Sequence, residues 1–252
     1  MEKGSFEGKI ALITGSARGI GKRIATELAA NGADIALNDI QKENLERAMK
    51  DIKKFGGQVK AYPVDITKKS DARTMVDDII SEWDKIDILV NNAGIATPTS
   101  FLDLTEEEWN RVIEVNLKGA VIVTQSVLRH MLKRKYGRIV NIASAAGKMG
   151  GIATSLAYDV SKAGMIVMTK SLARQFSRYG ITVNAVAPSF TDTDMLKDLK
   201  VTGRKTELAE LNIIQRLATP YDVANAVLFL ASDKSSFITG ETINVTGGRL
   251  MD

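Results

Sequence analysis

Cysteine is absent from the 252 residues and histidine occurs once. Without cysteine there are no disulfides, no thiol nucleophile and no thiolate-bound metal, which accords with a reducing cytosol. A single histidine cannot build a histidine-rich metal site or a Ser-His-Asp triad, so no metal centre is expected. That residue, His130, falls among Arg129, Lys133 and Arg134 on a predicted helix, where a solvated surface position is expected. Long apolar runs are also missing. Nothing approaches the ~20 residues a membrane helix needs, and Met1-Glu2-Lys3-Gly4-Ser5-Phe6-Glu7-Gly8-Lys9 has no apolar core of signal-peptide length. A cytoplasmic protein with no membrane partner is expected. Charge of one sign is scarce too: 34 basic residues against 30 acidic ones leave +4. Despite a pI near 9.1, that excess is too dispersed for a nucleic-acid footprint. The densest basic run, Lys133-Arg134-Lys135-Tyr136-Gly137-Arg138, stands where a helix should end and complements its dipole there.

What is present is an alternation of short β-rich apolar runs with longer helical patterns. Strands are expected at Ile10 to Thr14, Asp34 to Asn38, Val59 to Val64, Ile86 to Val90, Arg138 to Ala143, Ile181 to Val186 and Thr242 to Val245. Helices are expected from about Ile20 to Asn31, Lys42 to Phe55 and Ser70 to Trp83. Another should start at Thr105, where Glu108 completes a capping box, and another at Thr219-Pro220. The run Val112 to Thr124 reads as helical, and a further helix carries Tyr158. Regular βα alternation implies a single α/β domain with a parallel sheet and helices on both faces. Ser189 to Ala218 is long, polar and mixed, with no strand in it. A segment of that size inside one domain is expected to be a lid over the site.

Gly15-Ser16-Ala17-Arg18-Gly19-Ile20-Gly21 follows the first strand and opens a helix. Glycines there allow a tight turn and close approach of backbone to a pyrophosphate at the helix N-terminus. Asp39 ends the second strand, where a carboxylate binds ribose hydroxyls and repels a 2′-phosphate. It favours NAD. Arg18 points the other way, toward a 2′-phosphate, so NADP stays open.

Tyr158 and Lys162 stand four residues apart, one turn along the same helical face. A phenol ordinarily titrates near ~10. A cation about 4 Å away contributes roughly 4 kcal/mol at an effective dielectric of about 20, equivalent to about three pKa units. The spacing therefore predicts a tyrosine general acid/base with a lowered pKa.

Together these motifs resemble the short-chain dehydrogenase/reductase family, over essentially the whole chain. The resemblance rests on Thr14 to Gly21, Asp65-Ile66, Asn91-Asn92-Ala93-Gly94, Asn116, Ser144, Tyr158 with Lys162, and Pro188 with Thr193. It implies a Rossmann-like, doubly wound sheet of seven parallel strands, a nicotinamide cofactor and a homotetramer. Tyr158 would be the general acid/base, Lys162 would hold the nicotinamide ribose, and Ser144 would hydrogen-bond the reacting oxygen. Asn116 would hold a water linking Lys162 to solvent. Asp65 and Ile66 would touch the adenine, Asn92-Ala93-Gly94 would lie under the cofactor, and Pro188, Thr191 and Thr193 would sit at its nicotinamide side. Two positions depart from the family pattern: Ser189 where glycine usually follows Pro188, and Thr246 where Asp or Asn usually precedes Gly247-Gly248. The implied reaction is hydride transfer between a nicotinamide and a carbonyl or secondary alcohol. The pattern is similar both to 3-oxoacyl thioester reductases and to sugar or polyol dehydrogenases, with a broad-specificity carbonyl reductase or a non-catalytic dinucleotide sensor as alternatives. For a carrier-protein substrate, Lys135 and Arg178 are the candidate basic docking residues beside the entrance.

Overall fold

Seven apolar runs become seven strands, and the inner ones, Ile10–Thr14, Ile88–Asn91, Gly137–Ile142 and Ile181–Pro188, are buried along their whole length because helices cover both faces. The structure is a computed structural model describing residues 4–251. Met1, Glu2 and Lys3 of the N-terminal stretch lie outside the described residues. The strands are β1 (Ile10–Thr14), β2 (Asp34–Asn38), β3 (Val59–Tyr62), β4 (Ile88–Asn91), β5 (Gly137–Ile142), β6 (Ile181–Pro188) and β7 (Thr242–Val245). They form one sheet in the order β3-β2-β1-β4-β5-β6-β7, parallel throughout. The order reverses between β1 and β4. At that switch point the connections leave to opposite sides and open a crevice at the carboxyl ends of the strands.

The ten helices of the described residues are α1 (Gly19–Ala30), α2 (Lys42–Ile52), α3 (Lys69–Trp83), α4 (Glu106–Ile113), α5 (Gly119–Arg134), α6 (Ala146–Met149), α7 (Leu156–Phe176), α8 (Met195–Asp198), α9 (Lys205–Glu210) and α10 (Pro220–Ala231). Strand periodicity assigns them to faces. In β1, Ala11 and Ile13 join the core under α1, α2 and α10, where Ile24, Leu28, Leu45 and Val227 are buried. Ile10 and Leu12 face the other way, onto α3, α5 and α7 through Met75, Val76, Val127 and Ala173.

Several boundaries differ from expectation for visible reasons. Thr105 does cap α4, its side chain accepting from Glu108 N, but the Glu108 carboxylate turns to the Thr97 and Thr99 hydroxyls instead of closing the box. The complete capping box is at α10, where Thr219 and Asp222 bond reciprocally. The helical run around Asn116 is interrupted by a widened π turn, Glu114–Lys118, of the kind often found at functional sites.

The basic run at the end of α5 does more than balance a dipole. Arg134 donates to Asp87 at 2.9 Å, and Arg138, buried in β5, donates to Asp233 at 2.9 Å. His130 is half-buried with Asp77 3.8 Å away. No helix of the described residues is long and apolar enough to cross a membrane.

Candidate active site

The glycine-rich turn is held by side chains from the next strand across the switch point. Thr14 Oγ1 accepts from Asn92 N at 3.0 Å and Ala93 N at 3.1 Å. Asn92 Nδ2 returns bonds to the carbonyls of Thr14 and Gly15 at 2.9 and 2.8 Å. Gly15 has φ +64°, and a Cβ on it would lie 2.7 Å from Ala93 Cα; one on Gly21 would collide with the Gly15 carbonyl and the Asn92 amide. Gly15 and Gly21 therefore leave no room for a side chain between the turn and the Asn92-Ala93 segment. Ser16 and Ala17 are buried beneath it, the Ser16 hydroxyl donating to Asn38 O at 3.2 Å.

Asp39 closes the far end of the turn. Its carboxylate accepts from Ala17 N at 3.2 Å and Gln41 N at 3.0 Å. One groove is lined by Gly15, Arg18, Gly19, Ile20, Asp39, Asp65, Ile66, Asn92, Ala93, Gly94 and Thr193, so most of the expected cofactor residues are brought together. Ser16, Ala17 and Gly21 stand behind it as scaffold. Arg18 reaches across to the region expected to be a lid, where it pairs with Asp198 of α8 at 3.1 Å.

Helix α7 delivers the chemistry. Ser155 sits at its N-cap and shares a hydroxyl–hydroxyl bond of 2.8 Å with Thr97. Tyr158 and Lys162 follow on one buried face. Ser144, just past β5, places its side chain beside the Tyr158 phenol, where it favours the ionised form, and accepts from Ala146 N at 3.1 Å. Lys162 Nζ donates to Ile142 O at 2.7 Å. Asn116 accepts from Ile95 N at 2.8 Å and donates to Ile95 O at 2.9 Å and Ser161 Oγ at 3.0 Å. Asn116 Oδ1 and Lys162 Nζ both border Gly94, 3.3 and 3.5 Å from where a Cβ there would stand. The four expected catalytic side chains thus converge at one place.

Electrostatics correct one expectation. Burial pushes the Tyr158 phenol up to about 12, against the lowering effect of the Ser144 side chain. Burial also pulls Lys162 down to about 8. Lys162 Nζ lies 5.7 Å from the phenol ring centroid and spends a hydrogen bond on the main chain. In this environment desolvation outweighs the attraction that the four-residue spacing suggested.

Tyr158, Lys162 and Ser144 open into a second cavity, about 860 Å³ including its mouth, that also reaches Pro188, Thr191 and Thr193. Ile20, Asn92, Gly94, Thr193 and Met195 line both spaces, so groove and cavity form one channel from Asp39 to Tyr158. The dinucleotide test is met: a glycine turn no side chain could replace, a carboxylate at one end, a phenol and an ammonium at the other. Sequence reasoning missed the apolar wall of the cavity, Met149, Ile152, Phe190, Leu196 and Leu199, and also Arg249. None belongs to a periodic pattern. Only the glycine pair before Arg249 hinted at a turn.

The family model described as enoyl-(acyl carrier protein) reductase matches residues 15–249. The chain belongs to the short-chain dehydrogenase/reductase family. It is an oxidoreductase of that family, using a nicotinamide cofactor and acting on a carbonyl or alcohol. Curated relatives include the 3-oxoacyl-[acyl-carrier-protein] reductase of Thermotoga maritima, 41% identical over 243 residues, covering 96% of this chain and 98% of that one. The enzyme of the same description from Escherichia coli is 42% identical over 247 residues, covering 98% and 99%. Among solved structures, a 3-oxoacyl-[acyl-carrier protein] reductase from Brucella melitensis superposes with TM-score 0.93 at 31% identity, covering 99% of this chain and 94% of that one. A putative gluconate dehydrogenase from Agrobacterium tumefaciens gives TM-score 0.94 at 30% identity, covering both chains fully (100% each).

In this short-chain dehydrogenase/reductase, the docking expectation for Lys135 and Arg178 is not met within one protomer. Both precede the first residues of their strands, β5 at Gly137 and β6 at Ile181. In a parallel sheet that is the end opposite the site. The two family departures have structural partners. Ser189 Oγ donates to Asn212 at 3.0 Å, joining the start of the 189–218 segment to its later half. The Thr246 hydroxyl bonds Leu250 O and N at 3.1 and 3.4 Å.

Proposed function

We propose that the chain reduces a 3-oxoacyl thioester at its ketone, with NADH preferred, and that Tyr158 is the proton donor. The observation that carries this reading is the buried Ser144–Tyr158–Lys162 cluster at the end of a groove that begins at a carboxylate. When bound, the cofactor supplies or accepts the hydride. The phenol of Tyr158 gives its proton to the substrate oxygen, or takes it back in the oxidative direction. Ser144 donates to the same oxygen as charge grows on it. Lys162 would hold the nicotinamide ribose and replace the Tyr158 proton through a water at Asn116. Asp65 and Ile66 would hold the adenine, with Asn92-Ala93-Gly94 beneath the cofactor. Pro188, Thr191 and Thr193 would contact its nicotinamide side.

Asp39 supports NAD over NADP, because a 2′-phosphate would be placed against its carboxylate. The opposing guanidinium of Arg18 is occupied by Asp198. Segment 189–218 would form a lid, its own two ends joined to each other by the Ser189–Asn212 bond and the Thr191–Ala218 bridge. A homotetramer working in the cytoplasm fits exposed apolar residues on α7 (Val160, Val167) and beside β7 (Tyr221, Phe229, Phe237). A sugar-acid substrate is the second reading, favoured by one observation, the arginine in the catalytic cavity.

The test is a spectrophotometric panel of NADH and NADPH against acetoacetyl thioesters, oxo sugar acids and simple ketones. Thioester reduction with the higher kcat/KM for NADH is expected, with Asp39→Ala narrowing the cofactor ratio by roughly tenfold or more. A clear NADPH preference would refute the Asp39 reading, and sugar-acid turnover without thioester turnover would select the second substrate.

A further inference from the structure

The wall of the catalytic cavity is apolar at Met149, Ile152, Leu196 and Leu199, and most of its polar side chains are already engaged. Thr154 donates to Asp159 at 2.7 Å and Thr191 to Ser189 O at 3.1 Å. Arg249 is different. Arg249 lines the same cavity as Ser144 and Tyr158, and no carboxylate of the described residues pairs with it. It lies over the Phe190 ring, 4.9 Å from the centroid. Burial lowers its pKa from the usual arginine value, the sign of a cation held partly out of water without a counter-charge.

The backbone holds it there. Gly247 and Gly248 have φ +60° and +85°, and Arg249 N closes the turn on Thr246 O at 3.2 Å. The Thr246 hydroxyl fastens the next residue, Leu250, from both sides. On the inner side, a Cβ on Gly248 would come within 3.0 Å of Ile213. The turn therefore fixes the point from which Arg249 leaves the backbone, and the Phe190 ring lies against its guanidinium.

We propose that Arg249 recognises an anionic oxygen group on the substrate, so that the preferred substrates are oxo compounds carrying a carboxylate or a phosphate at a distance from the reacting carbonyl. A guanidinium offers forked donors that match either group, and an anion would supply the counter-charge that the described residues do not. The proposal rests on the reading that Tyr158 acts on a carbonyl in this cavity. It adds to that reading a specificity residue outside the Ser-Tyr-Lys set. It also gives the Thr246 departure a purpose, since that side chain clamps the turn.

The experiment compares kcat/KM, at saturating NADH, for matched pairs differing only in the anion: 4-oxopentanoate and 5-oxohexanoate against their methyl esters, and acetoacetyl-pantetheine against its 4′-phosphate. Wild type is expected to favour the anionic member of at least one pair by roughly 10- to 100-fold, the range of a charged hydrogen bond, chiefly through KM. Arg249→Met should bring that ratio close to one, Arg249→Lys should restore part of it, and Thr246→Ala should reduce it while leaving the charge in place. The pair that responds identifies carboxylate or phosphate as the group read. Ratios near one for every pair in wild type would overturn the proposal and leave Tyr158 chemistry standing. If no ketone is reduced at all, the carbonyl reading fails, and Arg249 is judged by calorimetric titration of 4-oxopentanoate into the NADH complex. Binding that Arg249→Met abolishes would support the anion site; equal binding in both proteins, or none in wild type, would overturn it.

Discussion

The two ends of the channel are built on different principles. At the nucleotide end the turn itself is main chain: Gly15 and Gly21 leave no room for side chains, and Thr14, Asn92 and Asp39 hold it by hydrogen bonds. At the substrate end the surface is side chain, drawn from α6, the 189–218 segment and the turn at 246–250. The first arrangement suits a constant ligand. The second can be altered residue by residue without disturbing the sheet, which is where relatives described as acting on different substrates can diverge on one fold.

If that contrast holds, the largest effect of a single methyl-scale change belongs to the nucleotide end. Gly21→Val should abolish NADH binding in a fluorescence titration and lower stability by more than about 3 kcal/mol, since its Cβ has backbone for a neighbour. Retained binding would show the turn to be more yielding than described. Next comes the boundary between the two ends. Lys162 titrates near 8 in the fold against 10.5 for the ordinary group. Below pH 8 both folded and unfolded chains hold the proton, and the burial penalty is fully present. Between pH 8 and 10.5 the unfolded chain binds a proton that the folded chain does not, so unfolding free energy rises with pH. Denaturant unfolding should therefore show Lys162→Met gaining up to about 3 kcal/mol on wild type at pH 7 and losing that advantage by pH 10. A pH-independent difference would mean that Lys162 is not desolvated. The smallest effect lies outside both ends. Thr219→Ala removes one side of the α10 capping box and should cost about 1 kcal/mol without changing cofactor affinity. A changed affinity would extend the channel further than drawn.

The nucleotide end and the sheet were legible in sequence because their rules are local. Short β-rich apolar runs, glycine spacing and a carboxylate at a strand end are each readable along the chain, and β2 and β7 fall on their expected residues. The Tyr158–Lys162 face was legible for the same reason, from helical spacing. What escaped depended on contacts between distant segments. Glu108 looked like a cap and instead holds Thr97 and Thr99. The helix through Asn116 widens where that side chain binds the main chain at Ile95. Lys135 and Arg178 matched a docking pattern by sequence position, but the polarity of a parallel sheet puts them at its other end. The Tyr158 pKa was inferred from spacing alone, whereas burial, which spacing cannot report, sets its direction.

The role of Tyr158 is tested most directly by turnover of Tyr158→Phe set against its NADH affinity. With the ring retained and only the hydroxyl removed, NADH should bind within about twofold of wild type while ketone reduction falls by a factor on the order of a thousand or more. Near-wild-type reduction by Tyr158→Phe with NADH bound would contradict a proton transfer at this residue.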